Sequence, residues 1–266
     1  MKKKKIVYYN DEIKDDFSGT RIKQKPLKEN FKYIKKGPIW CFFAWVLYYI
    51  FAIPFGAIFC FLKFRLKVEN RKVLKENKKR GYFVYANHTQ HSADAFIPAL
   101  CVYPRKNYVL VNKDSVSIKG LKNIVLMVGG IPVANTFTNM KLMRECIKER
   151  VAKQPVTIYP EATIWPYNTK IRNFKSSSFK YPVDFDTPVY SSTMVYRKRT
   201  SISRFWNKKP FATIYIDGPF YPDKTLNKKE ATEKLRDEVY TAMTARANVP
   251  DNYEYIKYIK KEEIKK

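Results

Sequence analysis

The stretch "YFVYANHTQHSADAF", residues 82–96, joins a short apolar run to the two histidines of the chain and to an aspartate. Such a run, ending in polar residues, is typical of a strand that is buried in a sheet. Similar runs occupy residues 108–112, 155–160, 188–197 and 211–217. The five runs predict strands of one sheet.

Helix-length segments lie between and after these runs. Residues 138–153 place Met143, Ile147 and Val151 on one stripe with lysines and arginines opposite, which predicts an amphipathic helix packed on the sheet. Residues 227–247 predict another helix. The alternation of strands and helices predicts an α/β fold, with a mostly parallel or mixed sheet flanked by helices.

The chain divides into four predicted segments. Residues 1–37 form a basic polar N-terminal arm with 12 lysines or arginines against five acids, and residues 38–67 form an apolar helical membrane anchor. Residues 68–250 form the main domain, and residues 251–266 form a charged C-terminal tail. The tail is either a solvated end or a strip on a membrane surface, and the sequence leaves both open.

The predicted anchor contains a run of 25 uncharged residues, 38–62. About 20 apolar residues suffice to span a bilayer. However, Pro54 and Gly56 would kink or break a helix in its second half, and basic residues flank both ends, which favours placing both ends on the cytoplasmic side. A re-entrant or interface-lying helical pair meets this condition better than a simple span. A buried core helix would need almost every face covered.

Composition limits the class of protein. Hydrophobic residues make up 45% of the chain and aromatic residues 16%, which excludes a disordered polycation. The net charge of +28 indicates an anionic partner, either nucleic acid, an anionic membrane surface or an acidic protein. Because the basic residues are dispersed and no nucleic-acid motif is present, we expect anionic membrane lipids and no nucleic acid.

The four cysteines, Cys41, Cys60, Cys101 and Cys146, lack metal-ligand spacing. With only two histidines, close together, the sequence predicts no metal site. Free, buried cysteines fit a reducing compartment. We therefore expect a protein of the cell membrane whose main domain lies on the cytoplasmic face.

The histidine stretch carries the first candidate chemistry. His88 would lie at the carboxyl end of a buried strand, where active sites of α/β sheets cluster. Asp94, in the first turns of a following helix, can reach back to the imidazole, and such a pair forms a general base. His88 can instead cap a helix or satisfy a buried hydrogen bond. His91 is a rival partner of Asp94 or forms a surface ion pair with it.

A second candidate lies in "VTIYPEATIWPY", residues 156–167, where a buried strand runs directly into Pro160 and Glu161. A carboxylate at a strand end, followed by small residues, is typical of a functional loop. The alternative role of Glu161 is to cap a helix, which Pro166 disfavours.

Four stretches in fixed order carry a family resemblance: the Asn87-His88 pair with Asp94, "GGIPV" (129–133), "YPEATIW" (159–165) and "TPVYSSTMV" (187–195). They resemble the four sequence blocks of the glycerolipid acyltransferases of the 1-acyl-sn-glycerol-3-phosphate acyltransferase (PlsC-like) type. The resemblance covers roughly residues 80–196, and each block alone is a weak signal.

The resemblance implies a membrane-associated acyltransferase that makes phosphatidate from 1-acyl-glycerol-3-phosphate. The acyl donor would be a thioester of acyl carrier protein or coenzyme A, and no cofactor is implied. His88 and Asp94 would be catalytic. The implied substrate-binding residues are Glu161, Lys113, Arg172 and Lys175, and further candidates are Asn87, His91 and Thr163.

Four departures from the family pattern bear on this interpretation. Five residues rather than four separate His88 from Asp94, and the second block lacks its usual arginine. Ala162 replaces the usual glycine, and Trp165 stands near a usual arginine or serine. These departures leave open a different lysophospholipid or glycolipid acceptor, or a non-catalytic membrane-binding relative.

Overall fold

The structure is a computed structural model that describes residues 5–19, 25–118, 120–200 and 207–264. The predicted arm therefore lies partly outside the described residues, at 1–4 and 20–24. The last two residues of the predicted tail also lie outside them.

Nine strands form two sheets in the described chain. The strands are β1 (Lys5–Tyr9), β2 (Lys67–Glu69), β3 (Tyr82–Ala86), β4 (Tyr108–Val111), β5 (Gly130–Pro132), β6 (Pro155–Ile158), β7 (Val189–Arg197), β8 (Phe211–Phe220) and β9 (Ile256–Lys260). All five predicted strands are confirmed. The sequence pattern missed the three-residue strands β2 and β5 and the terminal strands β1 and β9.

The main sheet has seven strands in the order β2-β8-β7-β3-β6-β4-β5. Strands β7, β3, β6, β4 and β5 run parallel, while β8 is antiparallel to β7 and carries β2 in parallel at the edge. This confirms the predicted mixed α/β sheet. The carboxyl ends of five neighbouring strands therefore meet along one edge, which we call the carboxyl edge.

Eight α-helices are described, two of them before the first strand of the main sheet and six between or after its strands. They are α1 (Pro38–Trp45), α2 (Ile53–Phe64), α3 (Ile97–Val102), α4 (Asp114–Ser117), α5 (Leu121–Met127), α6 (Phe137–Val151), α7 (Lys180–Asp184) and α8 (Lys228–Ala247). Single 3₁₀ turns occupy Arg71–Lys75, Ser176–Phe179 and Lys261–Ile264. Both predicted long helices, α6 and α8, are confirmed.

The core has two layers, because successive side chains of a strand point to opposite faces of the sheet. Phe83 and Tyr85 of β3 pack with α6 and α8, where the predicted stripe of Met143, Ile147 and Val151 is buried. The other layer contains Tyr82 and Val84 of β3, and it is covered by α2 and α3. The sheet is thus buried on both faces, as its apolar strands require.

Helices α1 and α2 are joined by a π-helical segment, Val46–Ala52, into one helix of 27 residues, which we call the apolar helix. The predicted break at Pro54 is wrong: the chain remains helical through this residue. Pro54 cannot donate a backbone hydrogen bond, and the wide π-helical turn directly before it accommodates the missing donor.

One stripe of the apolar helix is buried against the domain. Its members recur at intervals of four or eight residues: Ala44, Tyr48, Gly56, Cys60 and Phe64. A Cβ at Gly56 would lie 2.9 Å from Phe96, so only glycine allows this contact. The opposite face exposes large apolar side chains: Ile39, Phe42, Phe43, Trp45, Ile50, Phe51, Phe55, Ile58, Phe61 and Leu62.

The two ends of the chain form the second sheet. Strand β9 pairs in parallel with β1, in a register that joins Lys5 to Ile256 and Tyr9 to Lys260. The tail is therefore an ordered strand over this range, with Ile256 buried. Its paired strand brings the C-terminal segment against the arm.

Candidate active site

The end of β3 is tied to the neighbouring strand by a side-chain amide. Asn87 Nδ2 donates to the carbonyl oxygen of Met194 at 3.1 Å, and the backbone N–H of Met194 donates to Asn87 Oδ1 at 2.7 Å. Asn87 is buried. This two-way bond to β7 fixes the backbone just before His88, so Asn87 acts on the site through position.

His88 and Asp94 form an ionisable pair at the carboxyl edge of the sheet. His88 Nδ1 lies 2.7 Å from Asp94 Oδ2, and the backbone N–H of Gln90 donates to the same oxygen at 2.9 Å. Asp94 lies in a turn and not in a helix as predicted, because helix α3 begins only at Ile97. The turn absorbs the extra residue between the two side chains.

Tyr159 contacts both members of this pair. Its ring stacks on the imidazole of His88, with 4.2 Å between ring centroids and 21° between ring planes. Its hydroxyl donates to the backbone carbonyl of Asp94 at 2.8 Å. Burial, and next the charge of Asp94, hold the pKa of Tyr159 well above its usual range, so the hydroxyl keeps its proton. The sequence analysis missed this residue, although it directly precedes Pro160 and Glu161.

The pair has the arrangement of a general base. A carboxylate that accepts from Nδ1–H fixes the tautomer in which Nε2 carries the lone pair. The side chain of His88 is 17% exposed whereas that of Asp94 is 5% exposed, so the imidazole is the member that a substrate can reach. The arrangement can remove a proton from a hydroxyl and stabilise the resulting imidazolium.

Glu161 and Arg172 form a buried ion pair beside the base. Arg172 Nη2 lies 3.0 Å from Glu161 Oε2, and the two side chains are 2% and 0% exposed. The carboxylate also accepts from the backbone N–H groups of His88 and Arg172, each at 3.0 Å. Glu161 therefore holds the backbone of His88. Its predicted contact with substrate stays a prediction.

Arg172 also donates hydrogen bonds to the same loop and, from Nη1 at 3.3 Å, to the carbonyl of Glu12. Nη1 donates to Thr163 Oγ1 at 2.6 Å, and Nη2 also bonds to the Thr163 carbonyl. The guanidinium lies 4.8 Å from the ring centroid of Trp165. The side chain thus braces residues 161–165, and its predicted role in binding substrate, like that of Thr163, remains untested.

Ala162 and Trp165 explain two of the departures from the family pattern. Ala162 has a φ of 64°, the left-handed conformation that glycine adopts without strain. Trp165 is buried, donates from Nε1 to the carbonyl of Asp15 at 2.7 Å and stacks on Tyr258 at 4.8 Å. The tryptophan therefore anchors the site loop to the N-terminal arm and to β9.

The remaining predicted residues lie in loops and turns near the carboxyl edge of the sheet. Lys113 follows β4, two strands from β3 and thus on the order of 10 Å away. Lys175 and His91 are exposed, in the loop before the 3₁₀ turn at 176–179 and in the turn before α3. Within the described ranges, neither lysine hydrogen-bonds to His88 or Asp94. Across the same ranges, no three His, Cys, Asp or Glu side chains cluster as metal ligands would.

Comparison with known proteins shows what this chain is similar to. Residues 65–195 match the family model described as Acyltransferase, and no curated protein matches the sequence. Among solved structures, the chain is similar to the 1-acyl-sn-glycerophosphate (LPA) acyltransferase PlsC from Thermotoga maritima, with a TM-score of 0.53. The two share 16% sequence identity, and the match covers 82% of this chain and 91% of that one. At this identity the likeness concerns the fold.

Proposed function

We propose that this protein transfers a fatty acyl group from an acyl thioester to the free hydroxyl of 1-acyl-glycerol-3-phosphate, since residues 65–195 match the acyltransferase family model. The observation that carries the proposal is the 2.7 Å contact between His88 Nδ1 and Asp94 Oδ2 at the carboxyl edge of the sheet. Two observations support a general base rather than a capping histidine. They are the four sequence blocks that resemble those of the family, and the contact between His88 and Asp94 at one edge of the sheet.

The proposed reaction proceeds through one tetrahedral intermediate. His88 Nε2 takes the proton of the acceptor hydroxyl. The hydroxyl oxygen attacks the thioester carbonyl at the same time and forms the new C–O bond. Asp94 stabilises the imidazolium that results. Collapse of the intermediate breaks the C–S bond, and the leaving thiolate receives the proton from Nε2. The step is balanced: an ester and a thiol replace a thioester and an alcohol.

The acceptor phosphate needs cations that the site loop does not supply. Arg172 is committed to Glu161, and the second block continues through Val133, Ala134 and Asn135 without a positive side chain. We propose that Lys113 and Lys175 take this role. The same observation favours a second candidate function, in which the acceptor is another lysophospholipid or a glycolipid with less charge at this position.

The apolar helix supports a position in the membrane interface. Its buried stripe runs from Ala44 to Phe64, a length of about 30 Å at 1.5 Å per residue. A helix that is packed on the domain along this length lies beside it and presents its opposite, aromatic-rich face to the bilayer. We propose that it anchors the enzyme in one leaflet without crossing it, with the domain on the cytoplasmic side as the basic flanks favour.

The test is acyl transfer by the full chain in zwitterionic micelles. Labelled acyl-coenzyme A and acyl–acyl carrier protein are each offered with lysophosphatidate, lysophosphatidylglycerol, lysophosphatidylcholine and a monoacyl glycolipid. The proposal predicts phosphatidate from lysophosphatidate, and the donor arm that is active identifies the thiol carrier. Product from another acceptor alone would establish the second candidate. Absence of product with every acceptor and both donors would identify a non-catalytic relative.

A further inference from the structure

A cavity lies at the edge of the sheet opposite His88. It has a volume of about 300 Å³, is partly open and lies between the first half of the apolar helix and the amino ends of three strands. Trp40 and Trp45 line it from the helix, while Lys106, Gly130 and Gln154 line it just before or at the start of β4, β5 and β6. We call it the basal cavity. The length of the strands separates it from the proposed active site.

Three cations line the basal cavity, and no Asp or Glu of the described residues does. Lys106 Nζ lies 5.2 Å from the ring centroid of Tyr48 and donates to the carbonyl of Met127. Arg150 lies over Tyr108, and Lys35 lies over Trp40. Burial, and next the charge of Arg150, lower the pKa of Lys106 to about 8. Glu149 Oε1 lies 3.8 Å from Arg150 Nη1 but does not line the cavity. The three cations that do line it favour an anion.

Three buried polar atoms without hydrogen-bond partners belong to residues that line the same cavity. Arg150 Nε, Gln154 Oε1 and Tyr33 Oη are buried and have no hydrogen-bond partner, and all three residues line the cavity. Leaving such atoms unsatisfied costs about 1–3 kcal/mol each. An N–H donor, a phenol and an amide oxygen match the phosphate oxygens and a hydroxyl of one ligand.

We propose that the basal cavity binds the phosphate group of an anionic glycerophospholipid, at a site separate from the one where acyl transfer occurs. The three cations and the Tyr33 hydroxyl can hold the phosphate, and Gln154 Oε1 can accept from a head-group hydroxyl. A lipid is favoured over a free phosphate ester because the wall of the cavity is the apolar helix. The outer face of that helix exposes Phe42, Phe43 and Trp45, along which acyl chains can lie.

Binding is measured with the full chain in zwitterionic micelles by titrating short-chain dihexanoyl-phosphatidylglycerol. Dihexanoyl-phosphatidylcholine and glycerol phosphate serve as parallel arms. The readout is the alkylation rate of Cys41, which is exposed and lines the cavity, whereas the other three cysteines are buried. The His88→Ala background is used, so the result does not depend on whether the proposed acyl transfer exists.

The expected result is saturable protection of Cys41 by phosphatidylglycerol and little by phosphatidylcholine. Arg150→Gln should weaken it about tenfold or more, since charge-assisted hydrogen bonds are lost. Lys148→Gln, an exposed residue of the same helix with the same change of charge, should leave it unchanged. Circular dichroism and thermal melting establish that both variants are folded.

Three outcomes would overturn the proposal. Equal protection by phosphatidylcholine would show that the head-group charge is not recognised. An equal loss in Lys148→Gln would reduce the effect to net charge. Protection by glycerol phosphate at the same concentration as the lipid would assign the site to soluble phosphate esters and overturn its lipid source.

Discussion

Tyr159 contacts both members of the proposed catalytic pair, through its ring on His88 and its hydroxyl on the carbonyl of Asp94. A stacked ring limits the rotation of the imidazole, and the hydroxyl holds the turn that carries the carboxylate. The base is therefore positioned by a residue that does not touch the proton being transferred. Two separate contacts allow two separate tests.

We expect Tyr159→Phe to lower kcat about 3- to 10-fold, because it removes one hydrogen bond of about 0.5–1.5 kcal/mol and keeps the stacked ring. KM should not change. Tyr159→Leu should lower kcat further. The matched control is Tyr85→Phe, which removes an equally long bond to the carbonyl of Ser178 and should affect stability alone. Equal effects on kcat at both positions would contradict the positioning role.

We predict that the Glu161–Arg172 pair contributes to the free energy of unfolding. Arg172→Met leaves a buried carboxylate without its counter-ion, which should lower the free energy of unfolding by about 3–5 kcal/mol. Lys234→Met, which breaks the exposed pair with Asp223, should cost less than about 1 kcal/mol. Urea denaturation compares the two, and the double variant Glu161→Gln/Arg172→Met should recover part of the loss. Similar losses for Arg172→Met and Lys234→Met would contradict this account.

At the residue scale, the sequence located His88 and Glu161 because each lies just after a buried strand, and Asp94 because it lies close enough along the chain to reach back to His88. It did not resolve what these groups do to one another. The pairing of Glu161 with Arg172 depends on the path of residues 161–172, and a loop path has no periodic signal. Tyr159 was missed because an aromatic residue at the end of a strand also fits the core.

The apolar helix is the element on which the proposed position in the membrane interface rests. Its uncharged composition predicted membrane contact, but composition cannot distinguish a span from a helix packed along a domain. The proposal of a helix that lies in one leaflet rests on the stripe at Tyr48, Gly56 and Cys60, which is buried against the domain. Proline in the second half was misleading, because a π-helical turn restores continuity.

Substitution on the exposed face separates anchoring from folding. Ile58 is 61% exposed on the apolar helix, and Ile58→Asp should weaken binding to vesicles about tenfold or more, since a buried isoleucine contributes about 1.5–3 kcal/mol. Thermal melting in micelles should change little. Leu142→Asp, at a 38% exposed position of α6, is the matched control. Unchanged vesicle binding of Ile58→Asp would contradict an interfacial helix.

At the scale of the whole molecule, the N-terminal and C-terminal strands β1 and β9 both contact the site loop. Trp165 contacts Tyr9 of β1 and Tyr258 of β9 as well as Arg172, which couples the arm, the tail and the loop of Glu161. The sequence predicted the order of strands and helices in the domain. It could not predict the β1–β9 pair, because parallel pairing of segments about 250 residues apart has no local signature.

The net charge of +28 predicts a salt dependence of donor capture. Long-range attraction raises the association rate of an acidic acyl carrier protein and is screened by salt. We expect kcat/KM for the carrier thioester to fall several-fold from about 50 to 500 mM salt while kcat stays constant. An uncharged acyl-pantetheine thioester is the control and should show no such fall. Equal salt dependence of both donors would contradict electrostatic steering.

The central claim, that His88 is a general base oriented by Asp94, is tested most directly by single-turnover acyl transfer. Wild type, His88→Ala, Asp94→Asn and His91→Ala are compared with saturating acyl thioester and lysophosphatidate. Loss of the base, or of the carboxylate that sets its tautomer, should slow the step about 10²–10⁴-fold, while His91→Ala should retain wild-type rates. A rate that survives Asp94→Asn but is lost in His91→Ala would contradict the account and assign the base to His91.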